Sequence, residues 1–161
     1  FGIDLMGAHR DDFPPDYLQR IDAYRNLTAM DVVGDQAIRS EVYDAIQGVL
    51  GAHEILVSPT LAAMPVDNAL DGDTKGPALV NGEAVDPLIG WCLTYPVNFT
   101  GHPAASVPAG LSGGLPVGMQ LIGRRYADGD VLAAAAAVER ARPWRDAYKL
   151  CAGRPLEAPA A

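Results

Sequence analysis

Apolar positions follow two rhythms along this chain. Between Met30 and Leu50 they recur three and four residues apart, at Met30, Val33, Ala37, Ile38, Val42, Ala45, Ile46, Val49 and Leu50. Asp31, Asp35, Arg39, Glu41 and Asp44 fall mainly on the other side, so the stretch predicts an amphipathic helix. Thr28 is its expected N-cap, Asp31 the acidic half of a capping box, and Gly51 the expected stop. Gly34 and Gly48 each cost about 1 kcal/mol against alanine, so this helix must lean on tertiary packing.

Elsewhere the runs are short and continuous, as in strands covered on both sides. Glu54 to Ser58 is one, ended by Pro59. Ala104 to Val107 is a second, closed by Pro108, which cannot donate to a ladder. Val117 to Ile122 is a third, apolar on both alternating faces and interrupted only by Gln120. Leu111-Ser112-Gly113-Gly114 between the last two supplies a hairpin connection. Three further helices are expected. Asp16 to Tyr24 is preceded by prolines, Asp86 to Leu93 is capped by Asp86 with Pro87 first, and Asp128 to Arg142 is stopped by Pro143. Phe1 to Arg10 reads as the end of an amphipathic helix broken by Asp11 to Pro15. Leu61 to Asn81 reads as a surface loop long enough to suggest a substrate-facing role. Gly153 to Ala161 reads as a Pro/Ala tail of low order. The whole predicts an α/β fold in which the hairpin lies inside a layered structure.

Charge and cysteine content narrow the classes. A net charge of −8 and a pI near 4.6 disfavour a nucleic-acid surface, which needs clustered Lys and Arg. Cys92 and Cys151 stand in unrelated contexts, so free thiols in a reducing, cytoplasmic setting are expected. No apolar run approaches the roughly 18 residues of a membrane span. His9, His53 and His102 are widely separated and without ligand spacing. They read as surface or capping residues, and no metal or cofactor is expected. Asn26-Leu27-Thr28 and Asn98-Phe99-Thr100 fit the glycosylation sequon, which nothing else in the chain supports. Asn98 is better read as fastening its turn through the amide.

Thr94-Tyr95-Pro96-Val97-Asn98-Phe99-Thr100-Gly101-His102-Pro103, then Ser106-Val107-Pro108-Ala109-Gly110, then Leu115 to Gly123 closely resemble the C-terminal part of the amidase signature family. The likeness continues through Leu56-Val57-Ser58-Pro59-Thr60 and the helix from Asp128. It implies an amide hydrolase with a Ser–cis-Ser–Lys triad and an acyl-enzyme. It also implies a mixed β-sheet covered by helices on both faces, of which residues 1–161 would be the C-terminal third of one domain. The start at Phe1 agrees with that expectation.

The family's serine pair and lysine have no match here, so no catalytic residue is expected in this chain, and the chain alone is expected to be inactive. Ser112 lies where a turn is required, and Ser106 lies in a strand without elbow glycines and reads as a satisfied core hydroxyl. Lys75 among Asp71 and Asp73 should be solvated, and Lys149 lies near the tail; a lysine base needs desolvation.

What the chain can supply is a pocket wall. Strand ends and the loops after them place ligands in α/β folds, which singles out Pro59 and Thr60, and Trp91 and Thr94 around the turn into the hairpin. In the family's glutamine-dependent amidotransferase A subunits, an acidic residue near the position of Trp91 receives the glutamine amino group. Tryptophan cannot pair that ammonium by charge, which favours a less polar small amide as substrate. The implied partners are the N-terminal portion of the same enzyme or a companion chain, with a possible homo-oligomer. The alternatives are an amidotransferase A subunit and a non-catalytic fragment or pseudo-enzyme.

Overall fold

The computed structural model describes residues 7–147 and Lys149. The expected helix at Phe1 to Arg10 falls largely outside them, as does the tail from Gly153. Within them the chain forms a 3₁₀ turn at Arg10–Asp12, then α1 (Pro15–Tyr24) and α2 (Ala29–Ala52). Next come β1 (Ile55–Pro59), β2 (Leu79–Val80), β3 (Glu83–Ala84) and α3 (Tyr95–Thr100). The hairpin β4 (Ala104–Ser112) and β5 (Leu115–Gly123) leads to α4 (Asp128–Ala141), followed by a 3₁₀ turn at Arg145–Ala147.

The capping box of α2 forms as expected. Thr28 Oγ1 accepts from Asp31 N at 3.2 Å while Thr28 N donates to the Asp31 carboxylate at 2.7 Å. That hydrogen bonding holds the Asp31 carboxyl below its usual value. The helix does not stop at Gly51. It continues to Ala52, with His53 N returning to Val49 O and Arg124 Nε donating to Leu50 O at 2.9 Å, so side-chain and backbone donors satisfy its last carbonyls. The apolar stripe of α2 is mostly uncovered. Met30 is 74% exposed and Ile38 60%, and every residue from 29 to 41 faces solvent. Only Leu50 is fully buried, with Ile46 and Leu56 packed around it.

β5 is the centre of a three-stranded antiparallel sheet of order β1-β5-β4. Gly113 (φ 57°) and Gly114 (φ 82°) make its two-residue hairpin turn, a conformation with two positive φ angles that glycine adopts without strain. Pro108 does not end β4. It occupies an edge strand, where its missing N–H faces away from β5, and the chain absorbs it with a bulge between Pro108 and Gly110.

Alternation splits the sheet into two faces. On one, Val107, Leu121 and Val131 form a buried cluster with Ile55, Ala105, Met119 and the alanines of α4. Burying side chains such as Leu121 and Val131 contributes about 2 kcal/mol each. Gly123 lets α4 approach, since a Cβ there would stand 2.6 Å from Val131 Cγ2. On the other face, Leu50, Val97 and Ile122 join α2, α3 and the sheet. The fold is thus α/β with helices on both faces. Gln120 to Ile122 are buried and Val117 to Met119 half-buried. α4 starts at Asp128 as expected, although no side chain caps it; Asp128 and Asp130 act as first-turn charges.

Asp86 to Leu93 is a run of turns, not a helix. A helix would need Trp91 N–H to reach Pro87 O, but that carbonyl accepts Trp91 Nε1 at 3.0 Å and Gly76 N at 2.9 Å. The helix forms one segment later, at Tyr95–Thr100, in place of the expected polar turn; Pro96 in its first turn presets φ, and Gly101 (φ 66°) closes it. Within the long loop, β2 and β3 form a small hairpin across Asn81 and Gly82. Lys75 is not free in solvent: it pairs with Asp16 of α1 and with Asp73 at 3.3 Å, which hold its pKa above the usual value. Among the described residues, no helix is long and apolar enough to cross a membrane.

Candidate functional site

Beyond the Leu56–Ile122 contact, the α2-facing side of the sheet turns polar. Ser58 on β1, Gln120 on β5 and Ser106 on β4 stand in register across three strands. Gln120 is 3% exposed, and its Nε2 donates to Ser58 Oγ and to Leu93 O, each at 3.2 Å. One buried amide thereby fixes the strand β1 and the segment that leads into Thr94 and α3.

One step further along, Thr60 N donates to Gly118 O at 3.0 Å. Thr60 Oγ1 and Ser106 Oγ meet at 2.6 Å above Gly118. A Cβ on residue 118 would lie 2.7 Å from one hydroxyl and 2.9 Å from the other. Glycine in the central strand is what lets hydroxyls from both flanking strands join. Ser106 is exposed, not the core hydroxyl that its sequence context suggests.

Two depressions open on this polar surface, and Ser106 lines both. The first, about 430 Å³, is walled by Pro59, Thr60, Leu61, Met64, Ser106 and Gly118 and has no charged side chain in its lining. The second, about 510 Å³, is walled by Thr94, Asn98, His102, Ser106, Gln120 and Tyr126, with Asp128 at its rim. Of the four residues expected at a pocket, Pro59 and Thr60 line the first and Thr94 the second. Trp91 lines neither. Its ring lies against Gly76 with Nε1 bonded to Pro87 O, and its carbonyl accepts Ala62 N at 2.9 Å. Trp91 therefore ties the loop after Thr60 to the turn before Thr94. Asn98 is exposed on α3 and lines the second depression instead of fastening a turn. Gln120, Ser58, Ser106 and Gly118 escape sequence reasoning as site residues. The interruption of an apolar strand by Gln120 is the one visible sign.

His102 corrects another expectation. It is buried, 5% exposed, stacked on Tyr43 of α2 with ring centroids 5.3 Å apart. Thr100 Oγ1 gives its proton to Val97 O, so His102 Nδ1, 2.8 Å away, carries the ring proton; Nε2 lies 3.2 Å from the Gln47 amide. Burial, then the nearby Arg125 guanidinium, lowers the ring's pKa below 6.5. The fold thus holds a neutral imidazole. An unfolded chain takes up a proton near pH 6.5 before the folded one does, so stability is complete above that pH and falls as pH drops through the folded value. The shifted carboxyls of Asp22, Asp31 and Asp86, lowered from 3.8, act only in a more acidic window. Denaturant midpoints should fall between pH 7 and 5 and lose that dependence in His102→Gln; an equal slope in the variant would refute the assignment.

His9 and His53 are exposed, as expected, and among the described residues no three His, Cys, Asp or Glu side chains gather in a group able to hold a metal ion.

The chain matches the family model described as Amidase over residues 6–132. It is 38% identical over 123 residues to an acylamidase from Rhodococcus erythropolis, covering 74% of this chain and 25% of that protein. It is also 38% identical over 112 residues to the A subunit of the glutamyl-tRNA(Gln) amidotransferase of Thermotoga maritima, covering 68% of this chain and 21% of that protein. Among solved structures, a bacterial aryl acylamidase of the amidase signature family superposes with a TM-score of 0.90 at 55% identity, covering 96% of this chain and 32% of that one. The chain spans between a fifth and a third of the length of these relatives. With the family model matched over most of its length, this chain belongs to the amidase signature family.

Proposed function

We propose that this chain is the C-terminal portion of an amidase that hydrolyses aryl or similarly apolar amides. The observation that carries the reading is the 55% identity to an aryl acylamidase across 96% of the chain. In this mechanism a serine from polypeptide outside residues 1–161 attacks the amide carbon. The amine leaves with a proton, and water then releases the acid from the acyl-enzyme. This chain contributes sheet core and one wall of the pocket, through Pro59, Thr60 and Thr94, with Trp91 bracing the loops behind them.

The chemistry of the wall supports an uncharged substrate group. The depression beside Thr60 has hydroxyls and apolar side chains and no cation or carboxylate in its lining. A second reading, an amidotransferase A subunit, draws on the 38% identity to the Thermotoga protein. Trp91 disfavours it, because an indole already bonded to Pro87 O has no charge to offer a glutamine ammonium.

The test is a substrate comparison on the full-length enzyme. 4-Nitroacetanilide should be cleaved to nitroaniline and acetate without any partner protein, and glutamine should be a poor substrate. Glutamine hydrolysis that depends on a partner, with the anilide untouched, would select the second reading. The 161-residue chain by itself should show no turnover of either.

A further inference from the structure

The sheet order β1-β5-β4 leaves two outer strands, and the structure treats them differently. Thr60 N donates to Gly118 O, just past the register pair Pro59–Met119. Backbone groups alternate in direction along an antiparallel strand, so even-numbered residues of β1 bond to β5. Ile55 and Val57 therefore turn their N–H and C=O groups outward. On β4, Gly123 N donates to Pro103 O, so odd-numbered residues bond inward and Ala104, Ser106 and Pro108 face out.

The edge of β4 carries devices that prevent further pairing. Pro108 has no N–H to offer, a bulge follows it, and Arg142 Nη1 donates to Ala109 O at 3.3 Å. None of these stands along the ladder of β1. Ile55 to Pro59 keeps an unbroken register, and Ile55-Leu56-Val57 is apolar on both faces, the composition of an interior strand. Yet Val57 is 53% exposed. Only Pro59, whose absent N–H points outward, limits the ladder, and it does so at the strand's end.

We propose that the sheet ends at β4 and continues at β1, where an extended segment from the remainder of the enzyme adds the next strand. The relatives supply the argument for that occupant, since this chain covers 25% of the acylamidase and 32% of the aryl acylamidase structure. The inference rests on the reading of this chain as part of a longer amidase. Main-chain bonds to Ile55 and Val57 would hold the added strand, and its side chains would cover Val57.

Amide hydrogen exchange on the full-length enzyme, read at single residues, tests this. Ile55 and Val57 N–H groups should exchange at least about 100-fold more slowly than those of Ala104 and Ser106, at every protein concentration. Comparable rates for the two pairs, slower exchange at Ala104 and Ser106, or protection of Ile55 and Val57 that fades on dilution would overturn it. The last result would mean a second copy lies along β1. Anilide hydrolysis by the same preparation separates the two claims. An active enzyme with fast exchange at Ile55 and Val57 loses only the strand assignment, and an inactive one with slow exchange loses only the proposed reaction.

Discussion

Gly76→Ala is expected to lower kcat/KM for anilide hydrolysis by the full-length enzyme tenfold or more. A Cβ at residue 76 would intrude on the Trp91 indole and lie 2.7 Å from Pro87 O. The indole cannot retreat without giving up its bond to that same carbonyl. Nor can the backbone, because Gly76 N also donates to Pro87 O. Displacement of Trp91 moves its carbonyl, which holds Ala62 and through it the loop after Thr60. A tenfold fall corresponds to about 1.4 kcal/mol of transition-state stabilisation, the scale on which small misplacements of a pocket wall act. Steady-state kinetics beside a denaturation curve would separate this from unfolding. A variant with native stability and unchanged kcat/KM would show that this wall does not bear on the reaction.

Leu50→Ala should cost about 3 kcal/mol of stability, within the range for emptying a well-packed leucine site. Leu50 is the one large side chain fully buried among the described residues, and it joins α2 to Val97 of α3 and Ile122 of β5. Its carbonyl also anchors Arg124, which holds the end of α2 over the sheet. The hydrogen bond survives truncation of the side chain, so the loss is one of packing. The shift in urea midpoint at constant slope measures it. A change under about 0.5 kcal/mol, the size typical of surface substitutions, would mean that this face of the sheet does not depend on α2.

What can be read from the sequence follows the range of each interaction. The capping box of α2 involves residues three apart, and the hairpin turn involves two adjacent glycines; both form as expected. Hydrophobic period identifies which face of a helix needs cover but not who provides it. Met30, Val33 and Ile38 make a correct stripe that this chain leaves in solvent. The segment Asp86 to Leu93 has the signals of a helix start, yet Gly76, ten residues upstream, captures the carbonyl on which that helix would depend. The site divides in the same way. Pro59, Thr60 and Thr94 follow from a rule about strand ends. Recognising Gln120, Ser106 and Gly118 requires the pairing register, because their partners at Ser58 and Thr60 lie tens of residues away. His102 departs from its expected surface role because its burial comes from Tyr43 and Gln47, on an element whose packing no local pattern reveals.

The glycine pair at 113 and 114 bears on how this architecture assembles. Joining β4 to β5 requires only a two-residue closure, a microsecond event for an isolated hairpin. Bringing Ser58 opposite Gln120 closes a span of 62 residues, with the larger entropic cost of a long loop. The zipped ribbon can therefore precede β1 and serve as the template on which it lands, the slower, entropically dearer step being left for last.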